Sequence, residues 1–252
     1  KMDISDAGYI AHVARRVRAI HQAADGAAGV FLDNVRYDAD SRIAWVTLLK
    51  RIRRACGAEL PVLVNAGYMT ERQGWLAPYV NGIMYEDSIH HRHGRLGTEA
   101  FYARIAATDA KLQPLGGTPG GRRISINEVF GERSDTRQMR RELIRTLIYT
   151  DAAFLYSDST HGHRHGWYRL WDAPLGAAVD QLVEPKKDRL ARRRFAGGEV
   201  LWLPPGADGA AVVHLDVPMR DAVGGEVVRK LTLLPGSGAV LVHPDTRNGA
   251  VP

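Results

Sequence analysis

Short apolar runs recur along the first two thirds of the chain, and each run lacks alternation and ends in polar residues. Five such runs occur, at residues 29–34, 61–68, 81–87, 122–128 and 152–159. A strand of a parallel sheet that is buried on both faces has this pattern. Barrels and open sheets of the α/β class place their active sites just after such strands. The pattern therefore predicts both a parallel sheet and the edge of that sheet where a site would lie.

Helical patterns occupy the segments between these runs. Apolar residues recur at steps of three over residues 42–55, and the segments 98–112 and 134–149 begin at Thr98 and Ser134, which are favourable N-cap residues. The DISD segment at residues 3–6 predicts the start of a further helix that runs through Ile20. This alternation of strands and helices predicts right-handed βαβ units.

The spacing of the runs predicts a (β/α)8 TIM barrel. The interval from Asp33 to Asp158 covers 125 residues in four strand-to-strand steps, and a barrel of about 250 residues also allots about 31 residues to each unit. Only 28 residues precede the first run, so the first three strands would be missing. We therefore expect part of a longer protein, with exposed sheet edges that favour self-association. An open five-stranded α/β sheet is the alternative.

A different pattern follows residue 185. We expect the barrel part at 1–185 and a small antiparallel β domain at 186–252 that ends in a flexible tail. The second region begins with a basic run at 186–198. Four short apolar runs follow, at 199–205, 210–218, 226–236 and 238–244, separated by glycine and proline turns.

Composition narrows the classes of function. The 252 residues carry a net charge of +6, and the arginines alternate with apolar positions on predicted outer helices. No nucleic-acid-binding motif accompanies them, so nucleic acid is not an expected partner. No apolar run is long enough to span a membrane, and the single cysteine, Cys56, excludes an internal disulfide. The compartment is left open, with secretion of a full-length protein as one alternative.

Six segments, taken in their order along the chain, resemble a known family. They read GVFLDN, PVLVNAGY, NGIMYED, FLYSDS, WDAPLG and RRRFAGGEVLWLPP. The set resembles the hypothetical glycosyl hydrolase family 15-like group. This resemblance implies a (β/α)8 barrel with a small C-terminal β domain, glycosidase activity, and an oligosaccharide or polysaccharide substrate. The chain departs from the family pattern because it lacks the first barrel strands.

Carboxyl groups at strand ends are the candidates for catalysis. Glycoside hydrolysis needs two of them, about 5–5.5 Å apart when the enzyme retains and about 6.5–9.5 Å apart when it inverts the anomeric configuration. The candidates are Asp33, Glu86, Asp87, Glu128 and Asp158. We expect Asp33 to act as nucleophile or base and Glu86 as acid. Structural roles are the alternatives, since Asp33 could stabilise a turn through Asn34 and Glu86 could pair with a nearby arginine.

Polar and aromatic residues near the same strand ends are expected to bind the substrate. Amides could bind sugar hydroxyl groups, and aromatic rings could pack on the apolar face of a pyranose. The expected substrate-binding residues are Asn34, Asn65, Tyr68, Tyr85, Glu128, Asp158 and Trp167. Ordinary packing is an equal alternative for Tyr68 and Tyr85.

Histidines cluster in two segments that follow predicted strands. They are His90, His91 and His93 in one segment and His161, His163 and His165 in the other. Neither cluster has helical spacing or the cysteine partners of a closed zinc site. We therefore predict no metal and no other cofactor. A non-catalytic carbohydrate-binding or assembly module is the alternative to a glycosidase.

Overall fold

The computed structural model describes residues 3–23, 29–35, 39–57, 60–65, 75–76, 78–86, 98–111, 124–158 and 166–244. Contacts divide the chain into two compact units. The first unit comprises Lys1–Arg95 and Arg104–Glu128, and the second comprises Leu96–Ala103 and Val129–Pro252. The predicted domain division at residue 185 stays a prediction, and the predicted flexible tail at 245–252 lies outside the described residues.

Helices and strands alternate in the first part of the chain, and strands follow one another in the last part. The helices are α1 (Ala7–Ala23), α2 (Ala39–Cys56), α3 (Thr98–Asp109) and α4 (Thr136–Tyr149), with a 3-10 helix at Arg169–Asp172. The first five strands are β1 (Val30–Leu32), β2 (Val62–Asn65), β3 (Gly82–Glu86), β4 (Ile124–Gly131) and β5 (Ala153–Asp158). The last five are β6 (Ala191–Phe195), β7 (Gly198–Leu203), β8 (Ala211–Asp221), β9 (Val227–Leu233) and β10 (Ser237–Val242).

These strands form two sheets. The parallel sheet has the order β1-β2-β3-β4-β5. The antiparallel sheet has the order β6-β7-β10-β8-β9. Each of the five apolar runs thus overlaps one strand of the parallel sheet, and the four later runs overlap β7 to β10. No helix in the described ranges is both long and apolar enough to cross a membrane.

The predicted (β/α)8 barrel is wrong. The described part of the chain has one five-stranded parallel sheet with four α-helices, and a separate antiparallel sheet. β1 and β5 are the outer strands in the order of the parallel sheet that the described residues form. The apolar runs located real strands, whereas the closed barrel rested on the spacing arithmetic and on the family resemblance. Self-association through sheet edges stays a prediction.

The two faces of the sheet in the first unit differ in burial. Side chains alternate between the faces along each strand. Val62, Val64 and Ile83 are fully buried on one face. On the other face Phe31 is 48% exposed and Met84 is half-buried. A ligand could therefore approach the second face.

Arg53 on α2 anchors that helix to the beginnings of β2 and β3. Its Nη2 donates to Oδ1 of Asn81 (2.5 Å), its Nε donates to the Tyr79 carbonyl (3.2 Å), and its Nη1 donates to the Leu60 carbonyl. The same Oδ1 of Asn81 accepts the backbone N–H of Val62 (2.8 Å). Burial lowers the pKa of Arg53, and the surrounding acceptors compensate for the lost hydration.

β6 is a strand that the sequence did not predict, because it lies inside the basic run. Its Arg193 is buried, and the Nη1 atom donates to the carbonyls of Leu147 (2.7 Å) and Thr150 (2.8 Å). Its Nη2 donates to Oδ1 of Asp151 (2.6 Å). Carbonyls at a helix C-terminus lack partners within the helix. This guanidinium therefore supplies hydrogen bonds to carbonyls at the end of α4 and links α4 to the antiparallel sheet.

Candidate active site

One amide group joins two of the predicted strand-end carboxyl groups. The Nδ2 of Asn65 donates to Oδ1 of Asp33 (2.9 Å) and to Oε2 of Glu86 (2.6 Å). Because both oxygens bind the same nitrogen, they lie no more than about 5.5 Å apart, which is the sum of the two distances. Retaining glycosidases have carboxyl groups about 5–5.5 Å apart, and this upper limit is compatible with that spacing.

Strand register brings these three side chains together. β1 and β2 are paired up to Leu32 and Val64, so Asp33 and Asn65 follow side by side. On β3, Glu86 ends the strand, two residues beyond the partner of Asn65, and therefore lies on the same face. The site thus forms at the carboxyl edge of three neighbouring parallel strands, where open α/β sheets bind ligands.

The Asp33 carboxylate accepts three hydrogen bonds from N–H groups. Besides Asn65, the backbone N of Asn34 donates to Oδ1 (2.8 Å), and its Nδ2 donates to Oδ2 (2.9 Å). Asn34 has a φ of 55°, a left-handed conformation that asparagine tolerates better than most residues. The next residue, Val35, donates its N–H to the Asn65 carbonyl (3.0 Å). These bonds orient the carboxylate, and non-glycine residues in this conformation cluster at functional sites.

Burial increases from the carboxyl groups to the amide that joins them. Asp33 is exposed and Glu86 is half-buried, whereas Asn65 is only 7% exposed. Both N–H bonds of Nδ2 are used by the two carboxyl groups. Asn65 was predicted to bind sugar hydroxyl groups; the geometry instead has its donor atoms holding the carboxyl pair, which remains accessible from solvent.

Two other predicted site residues on this sheet are fully buried. Glu128 is paired with Glu86 across β3 and β4, and its exposed fraction is 0%. Tyr85 lies on the opposite face of β3, where its hydroxyl donates to Oδ1 of Asp109 (2.6 Å). Burial raises the pKa of Tyr85, and the charge of Asp109 raises it further. The position of Tyr85 favours the packing role that was its alternative.

Asp158 and Trp167 belong to the second unit. Asp158 ends β5 and is half-buried, whereas Trp167 is 73% exposed. The Nε1 of Trp167 donates to both carboxylate oxygens of Asp172 (3.0 and 3.1 Å), and its ring meets Trp171 edge-on at 5.4 Å between centroids. These contacts hold an exposed indole in one orientation, which suits a surface that binds a flat apolar face.

Several predicted residues lie outside the described ranges. They are Tyr68, Asp87 and the six histidines at 90, 91, 93, 161, 163 and 165. Within the described ranges, no three His, Cys, Asp or Glu side chains come together as a metal site. The roles of the histidine clusters therefore stay predictions.

Comparison with solved structures gives a similar fold. The isomalto-dextranase of Arthrobacter globiformis T6, in complex with panose, matches 96% of this chain with a TM-score of 0.50 and 12% sequence identity. The match covers 50% of the isomalto-dextranase chain, so this chain spans about half its length. At such low identity the likeness shows the fold alone. No family model matches the sequence, and no curated protein matches it.

The carboxyl pair was a sequence-based expectation, but the amide that joins it was not. The position of Asn65 at the end of a buried apolar run was the available signal, and it suggested only a polar group at the sheet edge. Its contact with both carboxyl groups depends on the register of three strands, which a single sequence does not specify.

Proposed function

We propose that this protein is a glycoside hydrolase in which Asp33 and Glu86 form the catalytic pair. The observation that carries the proposal is the Asn65 amide, which holds one oxygen of each carboxyl group within about 5.5 Å of the other. This spacing is compatible with retention of the anomeric configuration. The resemblance to a glycosyl hydrolase group and the likeness to an isomalto-dextranase structure support the same class of reaction.

The two carboxyl groups take different roles in this proposal. Three N–H donors orient Asp33 as a carboxylate nucleophile, which forms a bond to the anomeric carbon. Glu86 protonates the glycosidic oxygen as the bond to the leaving sugar breaks. Glu86 then accepts a proton from water, whose oxygen displaces Asp33 and releases the product. Asn65 acts as a positioning residue for both groups.

The proposed substrate is an oligosaccharide or polysaccharide. The structure neighbour is an isomalto-dextranase that was solved with panose, so dextran and panose are the first substrates to test. Asn34 is exposed beside the carboxyl pair, and we propose that it contributes to substrate binding. Glu128 is paired with Glu86 but fully buried, so we assign it no contact with the substrate.

Variants with different leaving groups distinguish the two roles. Glu86→Gln should lose most activity on a disaccharide but much less on an aryl glycoside whose phenolate departs without protonation. Asp33→Asn should lose activity on both. Matched controls are Glu184→Gln and Asp216→Asn, whose side chains are 82% and 89% exposed in the second unit.

The stereochemistry of the first product tests the retaining mechanism. Proton NMR during the first turnovers should show the sugar anomer of the substrate, before mutarotation. The opposite anomer would contradict Asp33 as a nucleophile, and equal losses of both variants on both substrates would contradict the division of roles.

A non-catalytic carbohydrate-binding module is the second candidate, and Trp167 favours it. This indole is 73% exposed and is fixed by Asp172 and Trp171. Binding of dextran oligosaccharides without hydrolysis, abolished by Trp167→Ala and unaffected by Asp33→Asn, would support the module and exclude the glycosidase.

A further inference from the structure

A cleft in the second unit carries a concentration of arginine side chains. Its volume is about 1090 Å³, and it lies among the first turn of α4, the 3-10 helix, the turn after β8 and the end of β10. Pockets for small molecules have volumes of about 300–1,000 Å³, so the cleft can hold a molecule larger than a single inorganic ion. The arginines that line it are Arg137, Arg140, Arg169 and Arg220.

The two aspartates of the cleft are already engaged in structural hydrogen bonds. Both oxygens of Asp172 accept the indole N–H of Trp167. Oδ1 of Asp221 accepts the backbone N–H groups of Val223 (2.7 Å) and Gly224 (3.2 Å). Its Oδ2 lies 3.5 Å from Nη2 of Arg140. The aspartates therefore balance only part of the positive charge of the four arginines.

The hydrogen bonding of the Arg140 guanidinium is incomplete. Its Nε is buried and has no hydrogen-bond partner among the described residues. The side chain as a whole is 30% exposed and lines the cleft, so its outer N–H groups are available to an anion there. Arginine is the side chain best suited to bind carboxylate, sulfate and phosphate groups, because its planar N–H fork matches two of their oxygens.

The apolar part of the lining indicates that the ligand is an organic molecule. Met139, Leu170 and Pro174 line the cleft beside the arginines. An inorganic anion would make no apolar contact with these side chains, whereas the hydrocarbon part of an organic molecule would pack against them. We infer that the cleft binds a small organic molecule that carries a phosphate, sulfate or carboxylate group. This inference is independent of the proposed function, because Asp33 and Glu86 belong to the first unit.

Calorimetric titration of the whole protein with four probes tests the inference. The probes are inorganic pyrophosphate, glucose 6-phosphate, glucuronate and uncharged glucose. We expect at least one of the three anions to bind, to bind more weakly as salt increases, and to bind at least tenfold more tightly than glucose. The anion with the highest affinity identifies the group that the arginines select.

Two cleft variants and one control locate the binding. Arg137→Gln with Arg169→Gln removes two exposed arginines from the cleft, and Arg220→Gln is a second, separate variant. Arg229→Gln with Lys230→Gln removes two positive charges from exposed positions of β9.

The cleft variants should weaken anion binding at least tenfold at an unchanged melting temperature, and the control should bind as the parent does. Absence of binding by all three anions, or equal weakening by the cleft and control variants, would overturn the inference. Loss of sugar hydrolysis in Asp33→Asn with retained anion binding would separate this cleft from the proposed active site.

Discussion

Replacing Asn65 by leucine removes the amide that holds the carboxyl pair while keeping a side chain of similar size. Two hydrogen bonds to charged groups are lost, worth about 1.5–3 kcal/mol each when buried. The two carboxylate oxygens, at most about 5.5 Å apart, then repel each other without a donor between them. That repulsion is about 3 kcal/mol at an effective dielectric constant of about 20 and below about 1 kcal/mol in water.

We expect Asn65→Leu to lower the free energy of unfolding at pH 7 by about 2–5 kcal/mol, since Asp33 is exposed and its share of the loss is reduced by solvent. Urea unfolding followed by tryptophan fluorescence measures this value.

A double-mutant cycle isolates the part that belongs to the carboxyl pair. In a Glu86→Gln background only one charge remains, so Asn65→Leu should cost about 1–3 kcal/mol less than it does in the parent. An equal cost of Asn65→Leu in the parent and in the Glu86→Gln background would refute the reasoning. Asn65 would then be a packing residue without a role in holding the two charges.

Three further predictions concern the framework of the fold. Arg193→Met should lower the free energy of unfolding by about 2–4 kcal/mol, because two carbonyls at the end of α4 lose their donor. In the same urea titration, Arg193→Lys should lower the free energy of unfolding by less than Arg193→Met does. Gly82→Ala should destabilise the sheet by more than a surface glycine substitution such as Gly209→Ala, because a Cβ at Gly82 overlaps the Ile124 carbonyl oxygen; similar melting temperatures for both would contradict this. Hydrogen bonds from the Arg194 side chain lower the pKa of Asp180 to about 2, so the stabilisation is present above about pH 4 and is lost as the pH falls through 2. Asp180→Asn should therefore lower the melting temperature at pH 6 and have a smaller effect at pH 2. Both effects should be small because the pair is solvent-exposed.

The strands of the parallel sheet were predictable because they are buried and apolar. The run at 81–87 contains β3 (Gly82–Glu86), and the run at 61–68 contains β2 (Val62–Asn65). The first residue of a helix was harder to predict than its apolar face, because neighbouring polar residues can each act as the N-cap. Asp135, and not Ser134, accepts the N–H of Gln138 and begins α4.

Two features of the fold could not be predicted from local patterns. The sequence of β6 is typical of a basic, solvated segment. Its three arginines are explained by tertiary contacts, since Arg193 is buried at the end of α4, Arg192 pairs with Glu199 and Arg194 pairs with Asp180. The barrel was inferred from the number of residues per strand, but that spacing is common to open and closed α/β sheets. Spacing therefore predicted βαβ units and did not distinguish the two.

The sequence predicted the edge of the sheet at which the candidate site lies, but it did not predict the contacts between the side chains of that site. Asp33 and Glu86 were expected because carboxyl groups follow apolar runs. The position of Tyr85 on the opposite face follows from its place one residue before Glu86, because alternation places neighbours on opposite faces. That signal was available in the sequence, whereas the contact of Asn65 with both carboxyl groups depends on three-dimensional register.

The most direct test of the central claim is the turnover number of Asp33→Asn and Glu86→Gln on a glycoside that the parent protein hydrolyses. A positioned acid or base contributes about 10²–10⁴-fold, so each substitution should lower kcat on panose or dextran by at least that factor. Circular dichroism and melting temperature should show that both variants remain folded. The controls Asp216→Asn and Glu184→Gln should keep kcat within about twofold of the parent, since exposed surface substitutions have little effect. Near-parental kcat in Asp33→Asn or in Glu86→Gln would contradict the assignment of this carboxyl pair as the catalytic one.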